Sequence, residues 1–204
     1  MFSFKTFIAE ATIVDDVSGH NPVVIAPGRF NPPHRGHRAM IEKLIKLGIE
    51  LHAEPIVLII DSGKYGPKNP LPGSVREKYL KKMFPNVRYI VAKNPYEAVA
   101  QLANPEEENV PKFVPVGGVT GSDRAKSYKD MIGRMFGPKA EEKYKAVILH
   151  RDPDAEDDVA GVSATKVREA ALKGDIGKFR AMTGLKGKDA DELMTLVQKG
   201  MEAE

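Results

Sequence analysis

A chain of 204 residues, 42% hydrophobic and 29% charged, has the composition of a globular protein able to bury its own core. It has no cysteine, which excludes disulfides and thiolate metal sites, and no apolar run long enough for a membrane-spanning helix. The formal net charge of +3 is too small to point to nucleic acid.

Pro22 to Ala26 (PVVIA) predicts a buried strand closed by Pro27-Gly28. Arg38 to Leu47 places apolar residues at helical spacing, with Gly48 as its stop. Ile56 to Ile60 (IVLII) is a continuous apolar run, as suits a parallel strand covered on both faces. A polar loop from Asp61 to Pro72 leads into a helix over Ser74 to Phe84, a strand over Val87 to Ala92 and a helix over Pro95 to Leu102. A fourth strand is expected at Phe113 to Val116, a helix at Asp123 to Phe136 ended by Gly137-Pro138, and a fifth strand at Ala146 to His150. Ser163 to Leu172 reads as a further helix, and two short helices fill the tail. The alternation predicts an α/β fold, a Rossmann-like doubly wound parallel sheet of about five strands with a helical C-terminal tail. The expected organisation is an N-terminal peptide over 1–20, one domain over 21–185 and a tail over 186–204. The acidic runs Glu106 to Glu108 and Asp152 to Asp158 read as solvated loops.

Residues 28 to 37, GRFNPPHRGH, lie beyond the first predicted strand and open the first helix. Ligands of open parallel sheets sit beyond the carboxyl ends of the strands, and a helix N-terminus favours anions. Gly36 lets the backbone approach a ligand. His34 and His37 are three apart, so on a helical first turn they share a face and can donate to phosphate oxygens, most usefully to charge that grows in a transition state. Two surface histidines after a proline-rich turn is the bland alternative. A zinc site would need a third ligand, which the neighbourhood does not offer. A second candidate anion site follows from Ser163, placed as an N-cap, with Thr165 in the first turn and Arg168 on the next turn of that face. On its own this motif reads first as a capped surface helix.

Gly28-x-Phe30-x-Pro32-x-His34-x-Gly36-His37 resembles the signature of the HxGH nucleotidylyltransferases, the cytidylyltransferase-like superfamily. Val162-Ser163-Ala164-Thr165-Lys166-Val167-Arg168 resembles its second signature, with Val for the usual Ile. Together they cover roughly Val23 to Leu172. The resemblance implies a Rossmann-like enzyme that moves a nucleoside monophosphate from a nucleoside triphosphate to a phosphorylated acceptor, releasing pyrophosphate. It implies catalytic roles for His34, His37 and Arg168. Nucleotide binding would fall to Gly28, Arg29, Phe30, Gly36, Ser163 and Thr165. Mg²⁺ would come with the triphosphate, held by phosphate oxygens and water, with no metal ligand from the protein.

Asn69-Pro70-Leu71-Pro72-Gly73-Ser74-Val75-Arg76 resembles in part a stretch of archaeal-type nicotinamide mononucleotide adenylyltransferases. It implies that Asn69 and Arg76 meet the acceptor and that ATP and nicotinamide mononucleotide give NAD. A CTP-using cytidylyltransferase is the alternative, and a non-catalytic nucleotide binder is the alternative of another class. Gly121-Ser122-Asp123-Arg124 resembles the glycine-acid stretch after the fourth strand of bacterial members. There Gly121 and Asp123 would help hold the base or ribose, or simply cap the next helix. Lys64 and Lys68, in the loop after the second strand, are candidates to reach phosphates but read first as solvated side chains.

Met1 to Ala11 (MFSFKTFIAEA) resembles the capsid-targeting peptides of internal proteins of T-even-type tailed phages. That implies a phage-encoded protein associated with the head through residues 1–11, with cleavage after Glu10. A helix packed on the domain or a partner is the alternative. Because the N-terminus lacks the order of a secretory signal, we expect a cytoplasmic protein, in the host cytoplasm or packaged in the virion if phage-encoded. Expected partners are the triphosphate and its acceptor, with no membrane, no nucleic acid, and a homo-oligomer compatible with the sequence.

Overall fold

The computed structural model describes residues 19–103, 112–122, 124–149 and 161–202. Five strands, β1 (Asn21–Gly28), β2 (Glu54–Ile60), β3 (Arg88–Ala92), β4 (Phe113–Gly121) and β5 (Lys145–Leu149), form one sheet in the order β3-β2-β1-β4-β5. Every pairing is parallel. Eight helices are described: α1 (Arg35–Leu51), α2 (Gly73–Met83), α3 (Pro95–Ala103), α4 (Ala125–Phe136), α5 (Pro138–Lys143), α6 (Ala164–Leu172), α7 (Ile176–Thr183) and α8 (Gly187–Glu202). The fold is thus the expected Rossmann-like α/β sheet with C-terminal helices. The targeting-peptide reading of residues 1–11, both acidic runs, Asp123 and His150 fall outside the described residues.

The central strands are apolar throughout because both faces of the sheet are covered. Side chains alternate between faces. Val23, Ile25, Ile56 and Leu58 meet α3 and α4 residues such as Val99, Met131 and Ile132 in one cluster. Val24, Ala26, Val57 and Ile59 meet α1 through Met40, Ile41, Leu44 and Leu47 in another. A third cluster joins α6, α7 and α8 to Leu71 and to Tyr79 of α2, through Val167, Phe179 and Leu193. The last helix is therefore packed on the body of the protein. At 16 residues it is also longer than the short tail helix expected.

Several boundaries differ from the expectation for local reasons. Helix α1 starts at Arg35, inside the histidine motif, because the histidines themselves cap it. It runs through Gly48 to Leu51, and its stop is His52, in the left-handed conformation at φ 50. Gly48 serves close packing: a Cβ there would lie 2.7 Å from the Ala53 carbonyl. Strand β4 extends to Gly121, through Pro115 and two glycines that hide the apolar pattern. At Gly118 a Cβ would come within 2.6 Å of the Ile25 carbonyl on the adjacent strand. The chain resumes as a helix after Gly137, where φ is 84 and Pro138 opens α5. Among the described residues, no helix is long and apolar enough to cross a membrane.

Candidate active site

Strand β1 has β2 on one side and β4 on the other, so the sheet reverses direction in sequence there. A crevice at the carboxyl ends of the strands follows from that topology. The structure has a cavity of about 810 Å³ at this position, reached by Gly28 of β1, Ile60 of β2, Thr120 and Gly121 of β4 and Leu149 of β5.

The turn after β1 is tightly determined. A Cβ on Gly28 would lie 2.9 Å from the Phe30 ring. Phe30 takes a φ of 52, an unfavourable conformation for a non-glycine residue that packing must hold. Its ring is 1% exposed and lies against His37, with centroids 4.8 Å apart. Beyond the two prolines, His34 becomes the N-cap of α1. Its Nδ1 accepts the Gly36 N–H at 3.1 Å. In return, Nδ1 of His37 accepts the His34 N–H at 3.2 Å. This is a reciprocal capping box built from two imidazoles. The rings stack with centroids 3.7 Å apart, and the residues are 4% and 8% exposed.

This arrangement explains why two histidines stand so close together. With Nδ1 accepting from a backbone N–H, the hydrogen-bond network assigns the proton of each neutral ring to Nε2. Both histidines line the cavity. The caps therefore orient two rings, each with Nε2 as its donor atom. Gly36 permits this packing, since a Cβ would lie 2.9 Å from His34 Cε1 and 3.3 Å from the Val162 carbonyl.

The second motif meets the first here. Ser163 caps α6, its hydroxyl accepting the Lys166 N–H at 3.3 Å. Ala164 and Thr165 open the helix at the cavity wall. Arg168 donates from Nη1 to the Asn31 carbonyl at 2.9 Å and from Nη2 to the Thr165 hydroxyl at 3.1 Å. A contact across 137 positions thus joins the two motifs. Burial lowers the pKa of the Arg168 guanidinium from its ordinary value, opposed by the neighbouring Glu169 carboxylate. An arginine keeps its charge under such a shift.

Of the expected site residues, Gly28, Arg29, Phe30, His34, His37, Thr165, Arg168 and Gly121 line one cavity. Gly36 and Ser163 stand behind its wall as packing and capping groups. Asn69 and Arg76 are off the wall as well. Arg76 is fully buried; its Nη1 donates to the Arg29 carbonyl at 2.5 Å and to the Ile60 carbonyl at 3.0 Å. Its Nη2 faces Asp61 Oδ1 at 3.0 Å. The structure places the Arg76 guanidinium, expected to meet the acceptor, where it ties together the ends of β1 and β2. Charge at a helix start did not reveal whether the side chain turned outward or into the core.

Asn31, Lys68 and Arg124, to which the family resemblance assigned no role, also reach the cavity. Lys68 is a candidate to reach phosphates that reads first as a solvated side chain. Asn31 occupies an unspecified position of the signature, and Arg124 closes the glycine-acid stretch without a role of its own. With Arg29 and Arg168, the wall carries four Lys or Arg side chains, and no Asp or Glu lines it among the described residues. Nor do the described residues hold any group of three His, Cys, Asp or Glu suited to a metal ion. The charge balance of this wall suits an anion.

The cytidylyltransferase-like family model matches residues 25–170, most of the chain and both motifs. No curated protein matches the chain. Among solved structures, the crystal structure of a macrolide-efflux protein from Streptococcus pneumoniae is similar at 18% identity and a TM-score of 0.49, over 81% of this chain. The chain spans 65% of that structure's length. That likeness is too slight to bear on function.

Proposed function

The chain belongs to the cytidylyltransferase-like family, and on that premise we propose that it is a nucleotidylyltransferase acting in the cavity at the β1/β4 switch point, with ATP and nicotinamide mononucleotide as its substrates. The observation that carries the reading is the Arg168–Asn31 bond, which joins two phosphate-suited helix starts around one cationic cavity.

In this reaction a phosphate oxygen of the acceptor attacks the α-phosphorus of the triphosphate, a new P–O bond forms, and the bond to pyrophosphate breaks. No covalent enzyme intermediate is required. The protein positions the groups and stabilises charge. His34 and His37 donate from Nε2 to the α-phosphoryl oxygens, and because their caps hold the rings, little reorganisation accompanies the transition state. Arg168, Thr165 and the start of α6 hold the leaving pyrophosphate. Arg29, Lys68 and Arg124 compensate the remaining phosphate charge. Mg²⁺ would come with the triphosphate, held by phosphate oxygens and water, and would screen the phosphate charge.

A CTP-dependent cytidylyltransferase is the second reading, and the family match is compatible with either nucleotide. The test is a pyrophosphate-release screen of ATP and CTP with Mg²⁺ against a panel of phosphorylated acceptors, with products identified by mass. NAD from ATP and nicotinamide mononucleotide is the expected product. Release from CTP alone transfers the assignment to the cytidylyl reading. Nucleotide binding with no turnover on any acceptor makes the protein a binder.

A further inference from the structure

Asn31 sits between Phe30 and Pro32 in the signature turn, and its amide offers two donors and one acceptor. It is 3% exposed, so each of those groups needs a partner. Nδ2 donates to the Leu71 carbonyl at 2.9 Å, and Oδ1 accepts the Leu71 N–H at 3.2 Å. The side chain thus closes on both polar groups of one residue, as a neighbouring strand would. Nδ2 also donates to Oδ1 of Asn69.

Asn69 extends this clasp into the loop. Its Nδ2 donates to the Lys64 carbonyl at 2.7 Å, and its backbone forms a bridge with Gly66. Residues 64–69 are therefore a closed hairpin attached to Asn31. Lys68, within that hairpin, reaches the cavity. From behind, Leu71 is 1% exposed in the cluster of C-terminal helices, and Gly200 of α8 packs on Pro70. The backbone carbonyl of Asn31 meanwhile holds Arg168.

We propose that Asn31 is a positioning residue, whose amide sets the Lys68 hairpin against the cavity while its carbonyl sets Arg168, so that one residue spaces two phosphate-facing cations. The proposal rests on the nucleotidyl-transfer reading for its kinetic consequence, but the clasp itself is testable without substrate.

The full-length protein is compared as wild type, Asn31→Ala, Asn69→Ala, Lys68→Met and the Asn31→Ala/Lys68→Met double variant. Amide exchange at Leu71 is followed without nucleotide. Turnover is followed with ATP, Mg²⁺ and nicotinamide mononucleotide, and affinity with inorganic pyrophosphate and Mg²⁺. Asn31→Ala should raise Leu71 exchange at least about tenfold and lower turnover about 10- to 100-fold, the scale of a small misplacement. Asn69→Ala leaves the signature turn intact and should reproduce part of that loss, which guards against a folding failure in Asn31→Ala. In the double variant the losses should fall well short of multiplying, because one residue acts through the other. Leu71 exchange unchanged in Asn31→Ala, or losses that multiply fully, overturns the proposal. If wild type transfers no nucleotide, the transfer reading fails alone. Non-multiplying losses of pyrophosphate affinity then still support the clasp, and unchanged affinity in Asn31→Ala overturns it.

Discussion

The backbone N–H of His34 donates to Nδ1 of His37, three residues on, and the ring of His34 caps the same helix at Gly36. Each imidazole is a structural cap through Nδ1, and in the proposed reaction it would also donate through Nε2. Replacements that separate the two duties are therefore informative. His37→Ala loses both and should lower turnover ~10²–10³-fold, the scale for one transition-state donor, and stability by about 1 kcal/mol, the scale for a cap. His37→Gln places at N3 a residue that suits a capping box. It should keep more of the stability but not the turnover. Thermal melts and pyrophosphate-release rates on the two variants check this; normal turnover in either would remove His37 from the chemistry.

Arg168 divides its guanidinium between the Asn31 carbonyl and the Thr165 hydroxyl. A lysine carries the charge but lacks the planar fork. Arg168→Lys should weaken triphosphate binding about tenfold or more, equivalent to at least about 1.4 kcal/mol, with acceptor binding near normal. Titration calorimetry with each ligand separately checks this. A loss confined to the acceptor would place Arg168 on the other side of the reaction.

Arg76 is buried against Asp61, which is itself mostly covered. Removing one partner of such a pair costs about 3–5 kcal/mol. Arg76→Met should therefore shift the urea midpoint strongly downward, and any loss of NAD formation should track unfolding. A well-folded Arg76→Met with only acceptor affinity lost would restore the direct acceptor role.

Burial raises the Asp61 carboxyl, but hydrogen bonds from the Gly73 and Gly63 N–H groups, the Arg76 charge and the Tyr65 hydroxyl outweigh it and hold its pKa below the ordinary value. A depressed carboxylate contributes stability above its unfolded pKa of about 3.9. That contribution is lost as pH falls through the lower folded value. Asp61→Asn should be less stable than wild type at neutral pH, with the gap narrowing as acid protonates Asp61 in the wild type. Denaturant titrations between about pH 2 and pH 6 check this. A gap that stays constant over that range would rule out the ionised network.

Much of this was readable from local sequence, where local chemistry decides the outcome. The buried parallel strands follow from apolar runs such as IVLII, and the paired motifs follow from short segments whose caps and turns are self-contained. His34, His37 and Ser163 cap their helices through partners within three residues. Tertiary structure decided the rest. Whether Arg76 faced a ligand or the core depended on the ends of two strands, 16 and 47 positions away. Lys68 looks like any solvated loop lysine until Asn31, 38 positions before Asn69, holds its hairpin to the cavity. Periodicity reports which face of an element is buried, but it carries no information about a hydrogen bond that forms only when distant segments meet.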